Sequence, residues 1–206
     1  MLYRRILFLF SLLAAPFLSL QAAPPEYPVP ISLSAVNPYF EVPYRILVTK
    51  DPNGYAVELD DGSHWQVVQQ GERANLRNWL PNDRLVIRPT LFPSWTGGRF
   101  YLLNERLNDT IYVELSMGPL AGLATTNTIY WTSPSTGALQ LIDGLGRTSN
   151  WVVHPEDIST FSLWQQNQAV IIGALTGSYA GWFANYNPGY ILINVERNVH
   201  IRAALQ

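Results

Sequence analysis

Apolar and polar positions alternate with a period of two over much of this chain, and the alternation is punctuated by short turn signals. Tyr55, Val57 and Leu59 alternate with Ala56, Glu58 and Asp60, the pattern of a strand with one wet face. Pro52-Asn53-Gly54 before them and Asp61-Gly62 after them are turns, because Asn-Gly and Asp-Gly tolerate the positive φ of tight hairpins. A strand from Tyr44 to Thr49 precedes this hairpin, and Trp65 and Val67 return as its partner. Glu72 to Trp79 predicts a short helix or turn with Leu76 and Trp79 on one side. Leu85 to Ile87 then reads as a buried strand and Pro89 to Gly98 as a loop. Tyr101 to Asn104 pairs with Ile111 to Leu115 across Asn108-Asp109. About six short strands and one helical turn in about 70 residues predict a small β-barrel.

The same unit is written a second time. Trp79, Asn82 and Leu85-Val86-Ile87 match Trp164, Asn167 and Val170-Ile171-Ile172 without a gap, and Leu102-Leu103-Asn104 matches Leu192-Ile193-Asn194. Asn108, Ile111 and Leu115 then match Asn198, Ile201 and Leu205. Asp143-Gly144 repeats Asp61-Gly62 in a longer hairpin, with Trp151 in the place of Trp65. His154-Pro155-Glu156-Asp157 opens the second helical turn, with His154 as its cap, proline at the first position and acids in the first turn. Ile158, Phe161 and Trp164 follow at threes on one face. The expected organisation is all-β: a first barrel repeat over 44–117, a connection over 118–128 and a second barrel repeat over 129–206. The repetition accounts for Trp65, Trp79, Trp151 and Trp164 as core residues. It also assigns turn geometry or backbone hydrogen bonds to Asn82, Asn104, Asn167 and Asn194.

The residues ahead of the barrels read differently. Arg4 and Arg5 precede an apolar run from Ile6 to Leu20 that ends at Gln21-Ala22-Ala23, the pattern of a secretory signal peptide over 1–22. At about 15 residues the run is short for a spanning helix, which needs roughly 20. The expected location is therefore outside the cytoplasm, in a periplasm or secreted. Residues 23–43 hold Pro24, Pro25, Pro28, Pro30, Pro38 and Pro43, which excludes a helix or a central strand and reads as an extended arm. Ile31, Val36, Tyr39 and Phe40 make it too apolar for a solvated linker, so part of it is expected along the first barrel.

Charge narrows the partners. The 13 Lys and Arg less Arg4 and Arg5 leave 11 against 15 Asp and Glu, a formal charge of −4. Lys50 is the sole lysine, so the clustered cations that neutralise nucleic-acid phosphates are missing. With no cysteine, disulfides and a lipoprotein anchor are excluded. No motif for catalysis stands out. His64, His154 and His200 are not at metal-ligand spacing, Ser63-His64 point to opposite faces of a strand, and Asp60-Asp61 read as a solvated hairpin tip. Asp83 has Gln168 as its counterpart, so any use of that carboxylate belongs to the first repeat alone. No catalytic residue, metal site or cofactor is assigned.

Two aromatic loops exceed this background. Phe92-Pro93-Ser94-Trp95 and the uncharged segment Gly173 to Tyr190, with Tyr179, Trp182, Asn185 and Tyr186, occupy the same point of the two repeats. Aromatic faces beside amides suit a sugar ring or a proline-rich peptide. The alternative is that Trp95 and Trp182 fold back over the open ends of their own barrels.

The Asp-Gly hairpins, Trp65 and Trp151 after them, Trp79 and Trp164 before an aliphatic strand, and Leu103-Asn104 and Ile193-Asn194 near the end of each repeat together resemble the tandem small β-barrel repeats of uncharacterised exported proteins of Chlamydiae-type bacteria. The resemblance spans roughly residues 55 to 205. It differs after the second tryptophan, where Pro-Gly-Asp is replaced by Pro81-Asn82-Asp83 and Gln166-Asn167-Gln168. It implies a fold and an exported location but no activity. At fold level the units are similar to SH3-like and OB-like barrels that bind peptide or cell-wall ligands. The expected function is a non-catalytic binding module for a peptide or cell-envelope glycan, with Trp95, Tyr179, Trp182, Asn185 and Tyr186 as candidate ligand contacts. The alternatives are a structural or host-interaction protein whose aromatic surface is an assembly interface, and a hydrolase using carboxylates not yet identified.

Overall fold

Twelve strands close into two barrels in the computed structural model, which describes residues 43–90, 92–175 and 189–206. The first barrel contains β1 (Arg45–Lys50), β2 (Ala56–Leu59), β3 (His64–Val67), β4 (Arg84–Pro89), β5 (Phe100–Asn104) and β6 (Asp109–Met117), in the order β1-β2-β3-β6-β5-β4. The second contains β7 (Asn127–Ser133), β8 (Ala138–Asp143), β9 (Thr148–Val153), β10 (Ala169–Ala174), β11 (Tyr190–Asn194) and β12 (Val199–Leu205), in the equivalent order. All pairings are antiparallel. A 3₁₀ segment, Gln70–Asn78, precedes β4; Pro155–Asp157 and the helical turn Ile158–Phe161 precede β10. The expected arm over 23–43 and the signal-like run lie outside the described residues.

The repeat holds to the level of single backbone bonds. Asn82 and Asn167 take φ of 73° and 68°, and Asn108 and Asn198 take 52° and 53°. Asparagine visits this left-handed region more readily than other side-chain-bearing residues, which is why it recurs at these four turns. The Asn82 N–H donates to the Leu47 carbonyl and that of Asn167 to the Ile129 carbonyl, each at 2.8 Å. At the same places β1 and β7 carry a register shift, after Leu47 and after Ile129. The core follows the alternation. Leu47, Val57, Leu59, Trp65, Leu85, Ile87, Phe100 and Leu102 point into the first barrel, and Ile129, Leu139, Leu141, Trp151, Val170 and Leu192 into the second. Trp65 and Trp151 each donate their indole N–H to a serine two residues earlier, Ser63 and Ser149, at 2.9 Å.

Two local expectations are corrected. The strands of the second hairpin are two residues longer but its turn closes with the same bonds, so Leu145-Gly146 takes the place of Asp61-Gly62 and the positive φ falls on Gly62 in the first copy but on Gly146 in the second, not on Gly144. Asp60-Asp61 is not a solvated tip. Asp61 is fully buried, with its Oδ1 accepting the Ser63 N–H at 2.9 Å and its Oδ2 3.5 Å from the Arg45 guanidinium. Asp60 accepts the Ile46 N–H at 3.0 Å, and burial raises its pKa. Both acids are held by the connection between the barrels, because the Asp61 carbonyl accepts the Leu120 N–H and the Asp60 carbonyl accepts the Thr125 hydroxyl.

The barrels meet through the equivalent strands β4 and β10. The outward residues of the second copy in this region are apolar: Ile171, Ile191 and Ile193 are fully buried and belong to the same cluster as the first barrel's core. Val86, the counterpart of Ile171, is also buried, but Tyr101 and Leu103, the counterparts of Ile191 and Ile193, are only partly so. The His200 ring packs edge-on against Phe100, with centroids 5.5 Å apart. Arg99 donates to the Asn198 carbonyl while pairing with Glu114. Gly173 brings β10 close to β4, since a Cβ there would stand 2.7 Å from the Ile87 carbonyl oxygen and 2.9 Å from the Ile191 side chain. Gly173→Ala is therefore expected to destabilise the protein by ~1–3 kcal/mol through overpacking. Gly71, which has nothing within 4 Å, serves as control. Equal urea midpoints for the two alanine variants would show that the barrels do not need this contact.

Candidate functional site

The loop between β4 and β5 is built to hold one aromatic ring away from the core. Its neck is tied by Thr90, whose N–H donates to the Arg99 carbonyl at 2.8 Å and whose hydroxyl donates to the Gly98 carbonyl at 2.7 Å. Pro93 opens the single helical turn Pro93–Thr96, where its fixed φ fits and its missing N–H costs nothing. Gly97 closes the turn at φ 72° by donating its N–H to the Pro93 carbonyl at 2.8 Å. The Thr96 hydroxyl donates to the Gly98 carbonyl, and the Gln69 amide, from outside the loop, donates to the Thr96 carbonyl at 3.0 Å. The turn is thus anchored on both sides while Trp95 projects from it.

Trp95 is 82% exposed and stacks on Phe92, with ring centroids 5.0 Å apart and planes 25° from parallel. Phe92 is itself about half exposed. The reading in which Trp95 folds back over its own barrel is thereby overturned. The indoles in the core of the first barrel are Trp65, which meets Phe100 edge to face at 5.6 Å, and Trp79. The other four candidates, Tyr179, Trp182, Asn185 and Tyr186, lie outside the described residues. A further large ring at the surface is Trp131, 52% exposed on β7 just past the register shift. That shift disturbs the strict alternation by which its exposure would have been legible.

The titratable groups are occupied by structure. The Asp83 carboxylate is buried and accepts the Leu80 N–H at 2.8 Å, the Asn104 amide at 2.6 Å and two nitrogens of Arg106. The Arg106 guanidinium holds its pKa far below the ordinary carboxylate range. Gln168 repeats the arrangement without charge, accepting the Gln165 N–H at 2.8 Å and the Asn194 amide at 2.7 Å. Glu72 and Asp157 are a second equivalent pair, each accepting a backbone N–H at 2.7 Å, from Tyr112 and Arg202 respectively. Burial raises the pKa of Glu72, and nearby Asp109 adds to the effect. Burial acts most strongly on Asp157 and would raise its pKa, but the side-chain and backbone hydrogen bonds from Arg202, together with the charges of Arg202 and His154, leave it lowered.

His154 caps the 3₁₀ turn, its Nδ1 accepting the Glu156 N–H at 3.3 Å, and His64 lies 3.8 Å from Glu58. Among the described residues no group of three or more His, Asp or Glu is placed to hold a metal ion. None of their helices is long and apolar enough to cross a membrane. No protein-family model matches this chain, and comparison with curated proteins and with solved structures found no match either.

The Asp83 cluster predicts an acid dependence of stability. A carboxyl whose folded pKa lies below the unfolded value of about 4 contributes stability that is complete above that value and lost as pH falls toward the folded one. Asp83→Asn is expected to lower the urea midpoint at pH 7 and to flatten its fall between about pH 4 and pH 2, leaving the part due to Asp157. A variant whose midpoint runs parallel to wild type through that window would remove Asp83 from the account.

Proposed function

We propose that this chain is an exported, non-catalytic binding module that engages a peptide or a cell-envelope glycan on the Phe92–Trp95 platform. The observation that carries the reading is an indole 82% exposed on a turn that is pinned at both ends. A lone apolar residue at a surface calls for no explanation, but a tryptophan held out by a hydrogen-bonded turn and backed by a second ring is a ready-made apolar face. Its position is fixed before a ligand arrives, which reduces the ordering cost of association. The Thr96 and Gly98 carbonyls of the loop and the Gln69 amide that reaches it from outside give the platform polar edges. The flat ring suits the apolar face of a sugar or a proline ring, and the polar edges suit hydroxyl or amide groups.

The absence of a paired-carboxylate, nucleophile or phosphate-loop motif in the sequence favours binding over catalysis. The apolar run behind Arg4 and Arg5 supports export. The SH3-like or OB-like resemblance of the repeats agrees with a ligand on a loop at the rim of a small barrel.

Tryptophan fluorescence titrated with soluble peptidoglycan fragments and with a proline-rich peptide tests the reading. Wild type is expected to give a saturable change that Trp95→Ala lacks, while Trp95→Ala stays within ~0.5 kcal/mol of wild-type stability, as surface substitutions do. Trp79→Ala, by contrast, should lose ~3–5 kcal/mol as a core truncation. A response that survives Trp95→Ala would remove binding from this platform, and a flat titration accompanied by Trp95-dependent self-association in sedimentation would replace ligand binding by the assembly reading.

A further inference from the structure

The two copies differ in the acceptor that meets the buried tryptophan of the helical segment. Leu76 and Phe161 each lie three residues before the buried tryptophan, and the acids Glu72 and Asp157 anchor both segments to β6 and β12 in one register. In the first barrel the Trp79 N–H donates to Asp109 Oδ2 at 3.2 Å, and the Asn75 amide donates to Asp109 Oδ1 at 3.2 Å. The register puts Val199 at the place of Asp109, Thr160 at that of Asn75 and Arg197 at that of Leu107. The acceptor has been removed and a cation added. Trp164, 3% exposed, is left with a buried N–H that has no acceptor.

An open cleft of about 330 Å³ lies there, lined by Ser159, Thr160, Leu163, Arg197 and Val199. Its polar side chains are a guanidinium and two hydroxyls, with no carboxylate among them. Among the described residues the Arg197 guanidinium and the two hydroxyls have no partner. The neighbouring acids are committed elsewhere: Glu196 accepts the Ala169 N–H at 3.0 and 3.1 Å, and Glu156 and Asp157 pair with Arg202. Leu163, 54% exposed, forms an apolar wall.

We propose that this cleft binds a carboxylate carried on a short apolar stem, with the ligand's carboxylate taking the part that Asp109 plays in the first barrel. Arg197 makes the first contact, as a planar fork matched to a carboxylate. Leu163 and Val199 receive the stem, and the Ser159 and Thr160 hydroxyls donate to the remaining lone pairs. Trp164 itself does not line the free cleft and its N–H is buried, so a ligand oxygen reaches it only after a neighbouring side chain moves. The site is on the second barrel and does not depend on the Trp95 platform.

Indole N–H resonances of the full chain in ¹H–¹⁵N spectra test the proposal, with Trp164→Phe assigning the relevant peak. The probes are N-acetyl-leucine, 4-methylpentanoate, N-acetyl-leucinamide and inorganic sulfate. N-acetyl-leucine is expected to shift the Trp164 resonance saturably, and the uncharged amide to bind at least about tenfold more weakly, as loss of a charge-assisted hydrogen bond implies. Arg197→Leu, which restores the first barrel's residue at an exposed position, should weaken binding about tenfold. Val199→Asp should move the same resonance without any ligand and abolish the response. A 4-methylpentanoate response equal to that of N-acetyl-leucine identifies a free acid as sufficient, and a weaker one identifies a peptide terminus. The proposal is overturned if the Trp164 resonance stays still, if amide or sulfate acts as strongly as the carboxylate, or if Arg197→Leu binds as wild type does. The last comparison decides the matter even where Val199→Asp does not fold.

Discussion

One side-chain oxygen in each repeat holds the corner where the helical segment, the fourth strand of the barrel and the following hairpin converge. Asp83 and Gln168 accept a backbone N–H from the turn after the buried tryptophan, and also the amide of Asn104 or Asn194. The oxygen of that asparagine in turn accepts the N–H of Leu107 or Arg197 in the next turn. Asn104 and Asn194 are fully buried, so an unmet amide at either would cost more than an ordinary surface bond. The left-handed Asn82 and Asn167 stand immediately before the accepting residue and aim it. Charge is optional at this corner, whereas an oxygen acceptor is present in both copies.

Once that corner is satisfied, the outward faces of the strands are free to diverge. In the first copy they carry Arg88, Tyr101 and Glu105, and in the second Gly173, Ile191 and Val195. The result is two barrels of the same internal design with different exteriors. One side of the second is used up against the first, and the replacement of Asp109 by Val199 leaves the Trp164 N–H without the acceptor that Trp79 has. Duplication therefore supplies its own control: each oddity of one copy can be judged against the residue in the other.

The fold was legible because strand alternation, turn residues and a gapless match of Trp, Asn and three aliphatics all point one way. Trp79 and Trp164 could be placed in the core on spacing alone. Asp61 could not, because its burial depends on Arg45 and on the connection after Met117, which are distant in sequence. The shift of the left-handed glycine to Gly146 was hidden because Asp-Gly occurs in both hairpins and only their lengths differ. At the candidate site, aromatic composition marked the loop at Trp95, but only the hydrogen bonds of Thr90 and Gln69 show which way the ring faces. The cleft beside Trp164 carried no motif. Its signal was a difference between aligned positions, Asp109 against Val199 and Leu107 against Arg197, which becomes readable only when helical and strand registers are known together.

Closure of both sheets also limits how anything else can attach. Each strand of the two closed barrels has a neighbour on both sides, with the closing pairs β1–β4 and β7–β10 engaging two residues of each strand, so only short stretches of backbone edge are left unpaired among the described residues. Little edge is left for an extended peptide to lengthen either sheet, or for two molecules to zip together along the length of a strand. Recognition by these barrels falls mainly to side chains and loop backbone, and that same restriction protects a strand-rich chain from stacking on its own copies.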